Sequence, residues 1–274
     1  MRQIVAIGPL IRACHPEPTL AVTATLTALA VATGRSLPGV LAVFGAILTG
    51  QLSIGWSNDW IDAARDARTG RRDKPVPAGE LSVRAVRTAA LVAVAACVPL
   101  SLLSGWWAAL VHLIAVACGW AYNLGLKSTV VSPLPYAFAF GAAPAFVVLG
   151  LPGTPPVWLV AAGSLLGTGA HFANVIPDLA DDEATGIRGL PHRIGATGST
   201  IAAGILLAGA TAVLAFGPPG GPDVAGVAGL AIALVVLGSG LLRGRRAGSR
   251  APFRSVLVVA VIDIALLLVT GVRI

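Results

Sequence analysis

The chain has 274 residues, of which 56% are hydrophobic and 11% are charged, and its net charge is +7. A soluble protein of this length carries roughly 25% charged residues, so this composition excludes an ordinary soluble domain and is typical of an integral membrane protein. The positive charge does not indicate nucleic-acid binding, because basic loops also mark the cytoplasmic edges of membrane proteins. We therefore expect membrane lipid and no nucleic acid as partners.

Residues 1–16, MRQIVAIGPLIRACHP, contain an apolar run that is too short for a signal peptide, so we expect a short helix at the membrane surface. Nine longer runs follow, each close to the ~20 residues that cross a bilayer core. The sequence shows no alternation of the β-barrel kind, which predicts an all-α integral membrane protein with nine transmembrane helices. The predicted spans are 17–34, 38–57, 85–103, 106–122, 133–151, 157–175, 198–216, 224–242 and 253–272.

The distribution of basic residues predicts the orientation. If residues 57–84 lie in the cytoplasm and the spans alternate from there, 17 of the 19 Lys and Arg residues fall on the cytoplasmic side, and only Arg35 and Arg273 fall outside. By the positive-inside rule, this predicts a multi-pass protein of the cell membrane with a cytoplasmic N-terminus. The basic run 243–254 is then a cytoplasmic loop next to anionic lipid.

A polar pattern, N-x3-D-x3-D-x2-TG-x-R-x2-P, occurs twice. It starts at Asn58 and again at Asn174, 116 residues later. Four predicted helices separate the two copies, so both lie on the same side of the membrane. This predicts two parallel four-helix repeats, about 17–130 and 133–245, followed by a ninth helix. We expect a single membrane-embedded domain over residues 1–274.

Each copy is predicted to place its acidic residues on one face of a helix, because residues i, i+4 and i+8 lie on the same side. The face of the first acidic motif (residues 58–66) comprises Asn58, Asp59, Asp62 and Asp66. The face of the second acidic motif (residues 174–186) comprises Asn174, Asp178, Asp181 and Asp182. Like charges at this spacing destabilise a helix, and placing carboxylates at the edge of a membrane adds a further unfavourable free energy. A divalent cation is the natural ion to offset that repulsion.

Mg²⁺ suits such a pair of motifs, because it prefers oxygen ligands and combines one or two carboxylates with water and substrate phosphate. Basic residues close to the carboxylates suit phosphate oxygens. These residues are Arg65, Arg72, Lys74, Arg188 and Arg193. We interpret the two motifs as a metal–diphosphate site at the cytoplasmic ends of the second and sixth spans. The alternative is that they are solvated loops paired with their own arginines.

The segments NDWIDAARD (58–66) and DLADDEATG (178–186) resemble the NDxxDxxxD and DxxxDxxxG motifs of the UbiA superfamily of intramembrane prenyltransferases. The resemblance spans essentially the whole chain. It implies an isoprenoid diphosphate donor, two Mg²⁺ ions and ionisation of an allylic C–O bond. It also implies catalytic and metal-binding roles for the aspartates of both motifs. These are Asp59, Asp62, Asp66, Asp178 and Asp182, with Asp181 as a further metal ligand.

Further substrate-binding residues follow from the same resemblance. The segment YNLGLK looks like a Tyr and a Lys that the family tends to have after its fourth helix, which gives Tyr122 and Lys127. Asn58 and Asn174 are expected to contact the donor as well. One departure is Lys74, which stands where many members have Arg and which lacks the two-pronged geometry of a guanidinium.

The sequence leaves the prenyl acceptor open. A small aromatic or lipid-like acceptor is one interpretation, and a terpene cyclase that needs no acceptor is another. A transporter is less favoured, because the charged residues cluster on one face of the membrane and not at its midplane.

The roles of several isolated residues are also open. Asp263 is either functional or a neutral acid bonded to a neighbouring helix. His171 is either a group that positions the acceptor or a packing residue, His192 is a candidate phosphate contact, and His112 is expected to pack. Aromatic side chains that could steady a carbocation, or simply fill space, are Tyr136, Phe138, Phe140, Phe146 and Phe172.

Overall fold

The structure is a computed structural model that describes residues 7–71, 74–243 and 251–270. Within these ranges the chain is helical and contains no strand. Two 3-10 turns, Leu126–Ser128 and Ile176–Asp178, separate some of the helices. The α-helices are α1 (Ile7–Ala13), α2 (Pro16–Ala32), α3 (Leu37–Arg68), α4 (Val83–Leu102), α5 (Trp106–Leu124), α6 (Leu134–Leu149), α7 (Val157–Val175), α8 (Leu179–Ala184), α9 (Leu190–Phe216), α10 (Val224–Arg243) and α11 (Ala251–Thr270).

Six helices of the described chain are long and apolar enough to cross a membrane. They are α3, α4, α5, α7 together with its following turn, α9 and α10. The protein is therefore a multi-pass membrane protein. Each predicted span overlaps one helix, and α1 forms where a short helix was expected. The structure does not establish the predicted count of nine spans, because α2, α6 and α11 are not among the six.

The long helices form a closed ring. Helices adjacent in the chain pack against each other from α2 to α7, α9 follows α7, and α10 packs on α9. α11 contacts α9 and α10 and also reaches α2, which closes the ring. One apolar core lies around Val43 and Phe146, and another lies around Leu207 and Val259. Close helix contacts depend on small residues: a Cβ at Gly163 would lie 2.4 Å from the carbonyl oxygen of Phe140.

α3 carries the first acidic motif. It extends 32 residues and ends at Arg68, well beyond the predicted span 38–57. The motif thus lies on the last three turns of a continuous helix, which places its aspartates at one end of the bundle. Gly55 lets the chain before α2 approach this helix, since a Cβ there would lie only 2.2 Å from the carbonyl oxygen of Cys14.

The second acidic motif does not lie on a continuous helix. α7 ends at Val175, a 3-10 turn follows, and the short helix α8 begins at Leu179. Pro177 lies in that turn and has no backbone N–H to donate to the carbonyl four residues earlier. The prediction that Asn174, Asp178 and Asp182 share one face of an α-helix is therefore wrong.

Candidate active site

The three aspartates of the first motif are buried. Asp59, Asp62 and Asp66 expose only 3%, 4% and 3% of their surfaces. A buried carboxylate is strongly unfavourable unless it is paired and hydrogen-bonded. The sequence of α3 is thus compatible with this fold only because cationic side chains reach each carboxylate.

Asp62 is the most heavily paired of the three. The Lys127 ammonium lies 2.5 and 2.6 Å from its two carboxylate oxygens. Oδ2 also accepts hydrogen bonds from Arg65 at 2.7 Å and from the Asn58 amide at 3.2 Å. Lys127 comes from the 3-10 turn after α5, so this interaction ties the α5–α6 connection to α3.

Lys74 bridges the other two aspartates. Its Nζ lies 3.1 Å from Oδ1 of Asp59 and 2.8 Å from Oδ2 of Asp66. Nε2 of His15 also contacts Oδ1 of Asp59, at 3.2 Å. Arg65 lies between the motif residues, with its Nε 3.7 Å from Oδ1 of Asp66. Four basic side chains, three of them from outside the motif, therefore surround the three acids.

The two lysines respond differently to this environment. Burial lowers the pKa of Lys74, but the carboxylates of Asp59 and Asp66 outweigh burial and leave its pKa above the ordinary value. Burial also lowers the pKa of Lys127, and there Asp62 offsets the effect only in part, so that its pKa stays below the ordinary value. The charged form of Lys127 is therefore less well stabilised than that of Lys74. An additional anion beside Lys127 would stabilise its charge.

Asn123 supports the first motif from α5. Its amide nitrogen donates to the Ile54 carbonyl at 2.9 Å and lies 2.8 Å from the Ser57 hydroxyl. Its amide oxygen accepts from Asn58 at 3.3 Å, and Asn58 in turn contacts Asp62. The sequence analysis did not identify Asn123. The only sequence signal was an amide inside an apolar helix, directly after Tyr122.

The second motif is more open. Asn174 and Asp178 are exposed, and the Asp182 carboxylate lies 3.3 Å from Nε2 of His192. Burial raises the pKa of Asp182, and although His192 and Arg65 oppose this, the pKa remains above its ordinary value. Arg65 thus acts electrostatically on both motifs, which places them on the same side of the bundle. The side chain of Asp181 lies outside the described residues.

The predicted phosphate-binding cations fall into two groups. Arg65 and Lys74 lie among the carboxylates of the first motif, as Lys127 does. Arg188 and Arg193 are exposed, and the Nε of Arg193 donates to the backbone carbonyl of Arg188 at 3.3 Å. Neither of these two forms an ion pair with a carboxylate of the described chain. Arg72 lies outside the described residues.

Aromatic side chains gather beside the aspartates. This aromatic cluster consists of Tyr122, Tyr136, Phe140, His171 and Phe172. The His171 ring lies 4.8 Å from that of Tyr136 and 5.6 Å from that of Tyr122, measured between centroids. Tyr122 is within electrostatic range of aspartates from both motifs, and Tyr136 shares a hydrogen bond with Asn174. The cluster therefore adjoins both motifs. Phe138 is exposed, and Phe146 stacks on His112 elsewhere in the core.

The remaining isolated polar residues have structural partners. His112 lies 2.8 Å from the Ser101 hydroxyl, and His171 lies 3.2 Å from the Ser132 hydroxyl. Thr211 on α9 donates to the Asp263 carboxyl group at 2.5 Å. These contacts favour packing roles for His112 and Asp263. His192 contacts Asp182, so it touches an acid that was predicted to bind metal.

The donor set fits Mg²⁺. No group of three or more His, Cys, Asp or Glu side chains within the described chain is close enough to surround one ion. Mg²⁺ does not require such a group, because it takes one or two carboxylates and completes its octahedron with water and phosphate. Buried carboxylate oxygens beside ammonium and guanidinium groups provide the hard ligands and the phosphate contacts that a metal–diphosphate complex needs.

Solved structures share the fold. One comes from work on digeranylgeranylglyceryl phosphate synthase in membranes, with a TM-score of 0.73, 14% identity and coverage of 98% of this chain and 99% of that chain. Another is a ligand-free UbiA homologue from Aeropyrum pernix K1. Its TM-score is 0.72 and its identity is 18%, and the match covers 92% of this chain and 98% of that chain. A third is a UbiA homologue from Archaeoglobus fulgidus bound to GPP and Mg²⁺. Its TM-score is 0.70 and its identity is 16%, and the match covers 96% of this chain and 99% of that chain. At these identities the likeness establishes the fold alone.

A search of curated proteins gave no match. A sequence profile of the UbiA prenyltransferase family, however, matches residues 20–262. The matched region includes both acidic motifs and nearly all of the helical ring. The chain belongs to the UbiA prenyltransferase family.

Proposed function

We propose that the protein is a Mg²⁺-dependent prenyltransferase that moves a prenyl group from an isoprenoid diphosphate to a small aromatic or lipid-like acceptor. The observation that carries this proposal is the buried first motif, in which three carboxylates lie among cations at one end of the bundle. Two Archaeoglobus fulgidus homologue structures support the donor class, because they hold GPP or DMAPP together with Mg²⁺.

The membrane arrangement is part of the proposal. The protein has nine spans, with four-helix repeats at about 17–130 and 133–245 inside one domain over residues 1–274. Its N-terminus and both motifs face the cytoplasm of a cell membrane. The order of helix contacts supports the repeats, because α2 to α5 form a consecutive series, as do α6, α7, α9 and α10. Each motif also follows or ends the second helix of its repeat.

The proposed metal ligands are the aspartates of the two motifs, which together would hold two Mg²⁺ ions. They are Asp59, Asp62, Asp66, Asp178, Asp181 and Asp182. Bound Mg²⁺ supplies positive charge that stabilises the diphosphate as it leaves. Asn58, Asn174 and Tyr122 orient the donor. The exposed Arg188 and Arg193 contact its phosphates, and Arg72, which lies outside the described residues, is proposed for the same role.

Three cations close to the first motif bind the diphosphate oxygens. Arg65 and Lys74 already lie among the aspartates of this site. Lys127 gains most from the added negative charge, because Asp62 only partly offsets the effect of burial on its ammonium group. The allylic C–O bond breaks with its electron pair on the diphosphate, so these groups stabilise the transition state more than the ground state. The acceptor then donates an electron pair to the allylic carbon and loses a proton. The prenyl tail lies between helices, away from bulk water.

A UbiA-type terpene cyclase is the second candidate. The aromatic cluster beside the aspartates favours it, because the faces of aromatic rings stabilise a migrating positive charge. A cyclase uses the same donor and metals, but the cation closes on a double bond of its own chain. Both candidates share the metal–diphosphate site and differ only in what captures the cation.

Product analysis separates the two candidates. Purified protein is incubated with Mg²⁺ and allylic diphosphates of several lengths, first alone and then with phenolic and quinone-precursor acceptors, and the products are identified by mass spectrometry. Prenylated acceptor is the expected product, with little donor consumed in its absence. Cyclic hydrocarbon or alcohol without an acceptor would establish the cyclase instead. Chelation of Mg²⁺ should stop either reaction reversibly.

A further inference from the structure

The turn that joins α1 to α2 reaches the first motif through His15. Its Nε2 lies 3.2 Å from Oδ1 of Asp59. An ionised carboxylate only accepts hydrogen bonds, so Nε2 must carry the proton in this contact. Lys74 approaches the same oxygen, at 3.1 Å. Within the described residues, the hydrogen bond and the ion pair of Asp59 both involve Oδ1.

The backbone of His15 is unusual. It is the one non-glycine residue of the described chain with a positive φ, at φ 54° and ψ 72°. Side chains disfavour this left-handed conformation, and such strain persists only where surrounding structure enforces it. A non-glycine residue held in this conformation, with its side chain on a buried carboxylate, points to a role for the side chain itself.

Several contacts fix the turn against α3. The Trp56 indole donates to the Leu10 carbonyl at 2.9 Å, and Thr19 donates to the Cys14 carbonyl at 2.9 Å. Gly55 leaves the space that the Cys14 carbonyl occupies, because a Cβ there would lie 2.2 Å away. α1 is also tethered by an ion pair between Arg12 and Glu80. The position of the imidazole is thus determined by packing on α3.

On the basis of the proposed function, we propose that His15 is a positioning residue for Asp59. The imidazole holds Oδ1 and so presents Oδ2 to the Mg²⁺–diphosphate complex. Outer hydrogen-bond partners of this kind orient metal-binding carboxylates in many proteins. The N-terminal segment therefore belongs to the donor site, although it lies outside both acidic motifs.

The test is direct binding, read without turnover. Mg²⁺ is titrated into purified protein with the unreactive thio analogue of geranyl diphosphate, and the Mg²⁺ concentration at half-saturation is measured. In His15→Gly this concentration should rise about 10-fold or more, the usual effect of losing such a partner. Its melting temperature should not fall, because glycine relieves the strained backbone. His15→Gln, which keeps an N–H donor at similar reach, should recover much of the affinity.

Two further variants separate positioning from a general loosening of the turn. Thr19→Val removes a hydrogen bond of the same turn without touching Asp59, and its half-saturation should match the wild type. Gly55→Ala should displace the turn and weaken Mg²⁺ binding as His15→Gly does. The double variant, with both substitutions, should bind Mg²⁺ no more weakly than either single variant. Unchanged half-saturation in His15→Gly, or an equal shift in Thr19→Val, would overturn the proposal. Absence of Mg²⁺-dependent binding by the wild type would instead contradict the proposed function.

Discussion

The two acidic motifs share a spacing but not an environment. In the first, three buried aspartates lie on a continuous helix among Arg65, Lys74 and Lys127. In the second, Asp178 is exposed and Asp182 has one imidazole partner. The same pattern of residues therefore gives one buried, ion-paired cluster and one open cluster.

The difference has a local cause. The first motif continues α3, so its aspartates keep helical spacing and face the bundle. In the second, Pro177 ends α7 and the chain turns before α8 begins. The first motif therefore presents its aspartates from one helix, whereas the second distributes its aspartates over a turn and a short helix.

The largest expected effect on stability is that of Asp62→Asn. This change leaves Lys127 and Arg65 beside a neutral amide, and breaking a buried ion pair in this way costs on the order of 3 kcal/mol. Asp178→Asn is the matched control, because its carboxylate is exposed and a surface change stays within about 0.5 kcal/mol. Thermal melting in detergent measures both. Equal melting temperatures for the two variants would remove the distinction between the motifs.

A smaller loss is expected for Lys127→Met. The pKa of Lys127 is below its ordinary value, so the fold disfavours its charge even with Asp62 beside it. Removing that ammonium should therefore lower the melting temperature less than Asp62→Asn does. The double variant should be more stable than the sum of the single losses predicts, because neither partner remains unpaired. Additive losses would show that the two side chains do not interact.

The smallest effect, of opposite sign, is expected for Asp182→Asn. The pKa of Asp182 is raised in the folded protein, so folding favours its protonated form. That stabilisation is complete below the unfolded pKa of about 3.9 and is lost as the pH rises through the folded value. At pH 7 the Asp182→Asn variant should therefore have a slightly higher melting temperature than the wild type. This difference in melting temperature should disappear at acidic pH. A lower melting temperature at pH 7 would contradict this sign.

Much of the first motif could be predicted from local spacing. Asn58, Asp62 and Asp66 recur every four residues, which is a helical pattern, and the motif does lie on a helix. The apolar runs likewise located the helices, since burial in lipid requires long uninterrupted hydrophobic segments. The apolar runs do not fix the number of spans, because short helices such as α6 are apolar without reaching the length of a full crossing.

The remaining features depend on contacts distant in the chain. His15 and Asn123 reach the first motif from 44 and 65 residues away, and no local pattern marks them. Pro177 could have indicated a break in the helix from the sequence alone. The matching residues of the two motifs instead favoured a continuous helix for both, so the break was not predicted. Arg188 aligns with Arg72 of the first motif, but the alignment does not reveal that Arg188 is exposed, as Arg193 also is.

The central claim is that both motifs together bind the donor diphosphate through Mg²⁺. It is tested most directly by measuring the consumption of an allylic diphosphate, with a suitable acceptor and Mg²⁺, by the wild type, Asp62→Ala and Asp178→Ala. We predict that each variant loses about 100-fold or more of the rate, as expected when transition-state charge stabilisation is removed. Asp178→Ala should keep the wild-type melting temperature. Near-normal consumption by either variant would contradict the account.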